Sequence, residues 1–270
     1  MNSTLKLISS LMLCLFVGQL VSAQKNWVRT PAISPDGSRI AFSYQGDIWV
    51  AKADGSDARR MTVHEAYESN PQFSPDGQKI LFVGNRFGNS DLYELSASGD
   101  VVRLTFHSTY DINGRYDKNG NILFNSRRLN VHVEREPEVQ ILRKNSATPE
   151  RFMAGLGYNP SASSDGRYVA IERGSCRIQR EAYRGPAQRD IWIYDTKQDT
   201  YMQLTKDEGQ DIMPNWTSDG MLYFLSARNG KYNIYRQNWA SDESAELQKV
   251  SSFKEDGIRY FNVSDNGYAF

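Results

Sequence analysis

Two cysteines and three histidines are all that this 270-residue sequence holds of the side chains most used for metal binding and thiol chemistry. One of the two, Cys14, sits in an N-terminal apolar run, so Cys176 is left without an internal disulfide partner and reads as an unpaired thiol of low reactivity. His64-Glu65 opens like a zinc-peptidase helix, but Glu68 stands where the second histidine belongs. No Gly-x-Ser-x-Gly nucleophile elbow occurs, and no Gly-rich phosphate loop precedes a helical pattern. Charge of one sign is also missing: Lys+Arg and Asp+Glu both total 32, which leaves no global field for nucleic acid or an acidic membrane. These absences give an expectation of no metal, no cofactor, no nucleic-acid partner and no complete catalytic site.

Long apolar runs are confined to Leu7–Leu20, shorter than the roughly 20 residues a membrane span needs. Lys6 precedes the run and Val21-Ser22-Ala23 follows it, the layout of an export signal cut before Gln24. Leu13, ahead of Cys14, occupies the place where a lipoprotein signal has a small residue. The expectation is a signal peptide over 1–23 and one domain over 24–270, released to the periplasm or the exterior with no membrane anchor.

What is abundant is aromatic and repeated. Aromatics make up 12% of the chain, a composition that favours half-buried pleated strands. Ser34-Pro35-Asp36-Gly37 leads into Arg39-Ile40-Ala41-Phe42, and Ser74-Pro75-Asp76-Gly77 into Lys79-Ile80-Leu81-Phe82. The pattern returns at Lys118-Asn119-Gly120, Ser164-Asp165-Gly166, Ser218-Asp219-Gly220 and Asp265-Asn266-Gly267, so its glycines recur every 40 to 54 residues. Pro and Asp suit the centre of a type I turn, and Gly accepts the left-handed residue that closes such a hairpin. A third strand recurs at Asp47-Ile48-Trp49-Val50, Asp91-Leu92-Tyr93, Asp190-Ile191-Trp192 and Asn233-Ile234-Tyr235, with a weaker copy at Glu138-Val139-Gln140-Ile141. Its leading polar residue reads as a local structural bond. A fourth strand is expected at Arg60-Met61-Thr62, Arg103-Leu104-Thr105, Gln203-Leu204-Thr205 and Lys249-Val250-Ser251. A unit of this length with several short strands is a propeller blade. The fold class expected is all-β: a β-propeller of four-stranded antiparallel blades, five complete and a sixth begun. The unfinished sixth blade suggests a piece of a longer chain whose ring lacks closing surface, and whose exposed edges favour aggregation.

The strings between the repeats carry a resemblance. Asn26-Trp27-Val28-Arg29-Thr30-Pro31-Ala32, Ile40-Ala41-Phe42-Ser43-Tyr44-Gln45-Gly46-Asp47-Ile48-Trp49, His64-Glu65-Ala66-Tyr67-Glu68-Ser69-Asn70-Pro71 and Arg189-Asp190-Ile191-Trp192-Ile193-Tyr194-Asp195 resemble tricorn-like serine peptidases of bacterial envelopes. The likeness covers nearly all of the chain after the signal. It implies the first, six-bladed propeller of a peptidase whose second propeller, PDZ-like domain and serine nucleophile fall beyond Phe270. In that family propellers look like gated passages for peptides, so the implied partners are peptides and downstream domains of the same polypeptide. TolB-like envelope modules share the Asp-Gly repeat, which leaves a non-enzymatic binder of envelope proteins as the alternative. A prolyl-oligopeptidase-like parent is a third reading and would need a downstream hydrolase domain.

Loops between one blade's last strand and the next blade's first gather on one face of a propeller. His64, Glu68, His107, Asp111 and Asp211 fall in such loops, with Glu65 and Asp207 nearby. They are the candidates for a polar funnel facing peptides or a partner. The competing reading is that each caps a turn or pairs locally. Arg127, Arg128 and Arg135, with Arg173, Arg177, Arg180 and Arg184, give two irregular insertions a basic tone that suits docking or plain solvation.

Overall fold

The computed structural model describes residues 28–129, 136–206, 209–239 and 246–270. The signal peptide expected over 1–23, and with it Cys14, lies outside the described residues, as do Asn26, Trp27, His132, Arg135 and Asp207.

Five four-stranded antiparallel sheets follow one another along the chain, each with its strands in sequence order. Blade 1 is β1 (Arg29–Ile33), β2 (Arg39–Tyr44), β3 (Asp47–Lys52) and β4 (Arg59–Arg60). Blade 2 is β5 (Glu68–Phe73), β6 (Lys79–Gly84), β7 (Asp91–Ser96) and β8 (Val101–Arg103). Blade 3 is β9 (Asp111–Tyr116), β10 (Ile122–Ser126), β11 (Glu138–Leu142) and β12 (Glu150–Leu156). Blade 4 is β13 (Tyr158–Ala162), β14 (Tyr168–Arg173), β15 (Asp190–Asp195) and β16 (Thr200–Gln203). Blade 5 is β17 (Asp211–Trp216), β18 (Met221–Ser226), β19 (Asn233–Asn238) and β20 (Gln248–Lys249). A two-stranded sheet, β21 (Asn262–Ser264) with β22 (Gly267–Ala269), follows.

The expected turns join the first and second strands. In blade 1 Gly37 N–H donates to the Ser34 carbonyl at 2.9 Å, and Gly37 has a φ of 73°, which an L side chain rarely adopts. Ser34 Oγ donates to Asp36 Oδ1 at 2.6 Å while the Ser38 N–H donates to the same oxygen at 3.0 Å. The same bracket repeats around Asp76, Asp165 and Asp219. These bonds hold the Asp36 carboxyl down at about 2.

The core is a set of slabs between neighbouring blades. Ile80 and Phe82 face Ala41 and Ile48 of blade 1, while Leu81 and Val83 of the same strand face Ile122 and Phe124 of blade 3. Middle strands are therefore apolar on both faces. Burying each large side chain contributes roughly 1.5–3 kcal/mol. Ile40 and Phe42 point away from blade 2, toward the sixth-sheet side, and stay half-buried; Ala41 makes the contact with the next blade.

Three features differ from the sequence reading. The fourth strands stop at Arg60, Arg103, Gln203 and Lys249, and the residue two further on extends the ladder with its hydroxyl. Thr62, Thr105, Thr205 and Ser251 accept from the backbone N–H of Ile48, Leu92, Ile191 and Ile234 at 2.8–3.0 Å. Blade 3 has its own fourth strand, β12, from a segment without that signature. Finally, the β21–β22 hairpin packs against β1, with β21 also touching β17, so it bridges the first and fifth blades. Asn262 Oδ1 accepts from the Ile33 N–H at 3.1 Å, Asn266 Nδ2 donates to the Pro35 carbonyl at 2.7 Å, and Asp265 Oδ1 accepts from the Ser218 N–H at 2.7 Å. The two strands are the start of the expected sixth blade; what the sequence reading did not give is that they bond to both the first and the fifth blade.

Candidate functional site

Glu68, Asp111 and Asp211 open the first strands of blades 2, 3 and 5, and each is 0% exposed. A buried carboxylate needs a counter-charge, and an arginine following the second strand supplies it in all three. Arg86 meets Glu68 at 2.5 Å, Arg128 meets Asp111 at 2.7 Å and Arg228 meets Asp211 at 3.4 Å. Each guanidinium also lies over a ring of its own blade: Tyr93, Phe124 and Tyr235 respectively. Burial pushes the Asp211 carboxyl up to about 6, against the pull of Arg228. His64 and His107 are half-buried, and their Nδ1 atoms accept from the backbone N–H of Ala66 at 2.9 Å and Thr109 at 3.1 Å. Each of the five residues thus has its own local partner, and Glu65 is exposed.

The polar residue that starts each third strand makes a second repeated clasp. Asp47 pairs with Arg60 at 2.6 Å, Asp91 with Arg103 at 2.7 Å, and Asp190 accepts from Gln203 at 3.1 Å. Of the insertion arginines, Arg173 lies over Trp192, Arg180 over Tyr183, and Arg184 donates to the Glu181, Tyr183 and Ala227 carbonyls. Arg177 lines the axial cavity. Among the described residues no group of three or more His, Cys, Asp or Glu side chains is placed to hold a metal ion.

The axis is where the sheets converge on something shared. A cavity of roughly 360 Å³ touches the first strand of all five blades and the segment before β21. A second, of roughly 280 Å³, lies at the opposite mouth, rimmed by the Ser-x-Asp turns. The inner strands carry a repeated bulge at the upper level. Thr30, Asn70, Asn113, Asn159 and Met213 all have φ between 48° and 56°, each followed by Pro or Gly, and each inner pairing shifts register there. Asn tolerates this conformation and Pro needs no ladder partner, so Asn-Pro builds the bulge at little cost. Thr30-Pro31, Asn70-Pro71, Asn159-Pro160 and Met213-Pro214 were a sequence signal as regular as the turns.

Two residues before each turn the inner strands carry Ala32, Gln72, Arg115, Ser161, Asn215 and Asn262; Gln72 and Arg115 line the upper cavity, and Gln72 and Asn262 the lower one. The small ones, Ala32 and Ser161, belong to blades 1 and 4. Across Ala32, Asn262 Nδ2 donates to Gln72 Oε1 at 3.0 Å. Across Ser161, Arg115 Nη1 donates to Asn215 Oδ1 and, at 3.2 Å, to the Pro214 carbonyl. Each bond skips a blade, and Gln72 lines both the upper and the lower cavity.

Four-stranded antiparallel blades set in a ring about an axial cavity define a β-propeller. The chain belongs to the family of tricorn protease N-terminal beta propeller domains, whose sequence model matches residues 25–270. It is 26% identical over 214 residues to tricorn protease homolog 1 of Streptomyces coelicolor, covering 74% of this chain and 19% of that protein. It is 28% identical over 120 residues to the TolB homolog of Chlorobium luteolum, covering 27% of this chain and 28% of that protein. Among solved structures, the tricorn protease superposes with a TM-score of 0.75 at 20% identity, over 89% of this chain and 24% of that one. A TolB structure from Agrobacterium tumefaciens gives 0.67 at 17% identity, over 83% and 80%. The chain thus spans about a fifth to a quarter of the tricorn proteins it matches.

Proposed function

We propose that this propeller is a non-catalytic gate and scaffold of an exported serine peptidase, admitting or releasing peptides for hydrolysis by other segments of the same polypeptide. The observation that carries the reading is the family match over residues 25–270. The blade-skipping bonds Gln72–Asn262 and Arg115–Asn215 support this reading: on it, they part when a peptide passes. On this reading residues 1–23 direct export and are cut before Gln24, which N-terminal sequencing of the protein from an envelope fraction tests.

The functional test uses a polypeptide carrying this chain with its downstream segments. A serine-directed inhibitor should abolish its peptide hydrolysis. Gln72→Ala should raise turnover of a long peptide and leave a dipeptide reporter unchanged. Inhibitor-insensitive activity, or none, overturns the reading. A second reading, an envelope protein-binding module without enzymatic activity, is favoured by the TolB likeness. It predicts a parent with no hydrolysis and a stoichiometric envelope partner on the loop face.

A further inference from the structure

Every charged side chain lining the upper axial cavity is an arginine: Arg115 from β9, Arg177 from the segment after β14, and Arg189 from the residue before β15. The nearest compensating carboxylate, Glu172, is buried behind the wall and fully engaged. Its Oε1 accepts from Asn159 Nδ2 and from the Met213 N–H at 2.6 Å, and its Oε2 meets Arg189 Nη1 at 2.8 Å. Arg189 also donates from Nε to the Cys176 carbonyl at 2.8 Å and lies over Tyr158. That one carboxylate is hydrogen-bonded to Arg189, and its field also reaches Arg115.

Among the described residues no carboxylate is hydrogen-bonded to Arg115 or Arg177. Arg115 bonds only to neutral oxygens, those of Pro214 and Asn215. It is surrounded by protein yet keeps surface toward the cavity, and burial pulls its guanidinium down to about 10, so it stays charged at neutral pH. Arg177 lines the cavity but is itself solvent-exposed, so the desolvated cation of the two is Arg115; no carboxylate is paired with Arg177 among the described residues. A cation in a protein-walled space gains most from an anion that replaces lost hydration. Guanidinium forks match carboxylate and phosphate oxygens. Asn70, Asn113, Gln179 and Tyr260 line the same space and supply neutral hydrogen-bonding groups. A cavity of roughly 360 Å³ falls in the size range of small-molecule sites.

We propose that this chamber is an oxyanion site, taking a small carboxylate- or phosphate-bearing ligand on Arg115 and Arg177. The inference rests on the chamber's charge and not on peptide passage, so it can fail or hold independently of the gating reading.

Calorimetric titration of the purified chain at low ionic strength tests it, with sodium succinate, inorganic phosphate, triglycine and triglycine amide as probes. Saturable binding of at least one anionic probe is expected, weakening as sodium chloride is added. Arg177→Gln should weaken it tenfold or more, equivalent to about 1.4 kcal/mol. Arg59→Gln, on the exposed outer strand β4 of blade 1, should leave it unchanged. Arg115→Met provides a second variant, with a thermal melt to confirm that it folds. Triglycine binding without amide binding assigns the site to peptide carboxyl termini; succinate or phosphate binding alone assigns it to free anions. No saturable binding by any probe, or equal affinity in Arg177→Gln and a folded Arg115→Met, overturns the proposal.

Discussion

Replacing Arg86 by Met tests whether the buried acids at the inner-strand starts are structural. Met keeps most of the stem that packs over Phe82 and Tyr93 but removes the guanidinium. Glu68 Oε1 then loses both its bonds, at 2.8 and 2.5 Å, and Oε2 has no hydrogen-bond partner among the described residues to fall back on. Glu68 is 0% and the Arg86 side chain 16% exposed, so water cannot readily replace the lost contact. Breaking such a pair from one side costs roughly 3–5 kcal/mol. At about 2–4 °C per kcal/mol for a domain of this size, the melting temperature should fall by roughly 6–20 °C. Removing both charges, as Glu68→Gln with Arg86→Met, should recover part of the loss. Urea unfolding of wild type, both single variants and the double variant closes the cycle, with a coupling energy of about 2 kcal/mol expected. A single-variant loss under about 1 kcal/mol with additive behaviour would refute the structural assignment. Glu68→Gln would then be the variant to test for altered peptide binding.

Further predictions concern the repeated elements. Thr105→Val removes the acceptor for the buried Leu92 N–H and should cost about 1–3 kcal/mol in chemical denaturation, while Thr105→Ser should be nearly neutral. Thr30→Asn puts the residue used in three other blades at a φ of 48° that a β-branched side chain resists, and should stabilise the chain by about 1 kcal/mol. Asp36 has a folded pKa below its unfolded one, so its contribution is present above about pH 4 and is lost as pH falls through about 2; Asp36→Asn should flatten that acid limb of the melting profile. Asp211 has the opposite sign: raised to about 6, its contribution is full below the ordinary value of 3.8 and is lost as pH rises through about 6, so Asp211→Asn should remove a decline across that window.

The turns and middle strands were legible because their chemistry is local. A Ser-Pro-Asp-Gly string contains its own bonds, and Ile80-Leu81-Phe82 announces a strand sandwiched on both faces. The fourth strands were overrun by two residues because Thr62 and its equivalents look like strand residues while acting through their hydroxyls. β12 was not located because Glu150–Leu156 lacks the ending of its counterparts, a long polar residue, an apolar one and then Thr or Ser. The inner strands had a usable signal in their X-Pro pairs, which was not read as a repeat. Asp111 and Asp211 were recognisable as equivalent positions, but their burial depends on Arg128 and Arg228 seventeen residues away. The blade-skipping bonds were not legible at all. Arg115 reaches Asn215 across 100 residues and Asn262 reaches Gln72 across 190, and no local pattern specifies a bond that skips a blade.

The wedge formed by β21 and β22 also sets an order of events during synthesis. Ile33 lies in the first strand of blade 1, yet the amide it presents is satisfied by Asn262, 229 positions later. At about 5–20 residues per second, the first blade waits roughly 10–45 s with one flank bare. Blades 2 to 5 can stack on their predecessors as they emerge, whereas the first cannot be finished until β21 and β22 have been made. Nascent chains should therefore present blade 1 to holdases and to stray strands far longer than any other part of the ring.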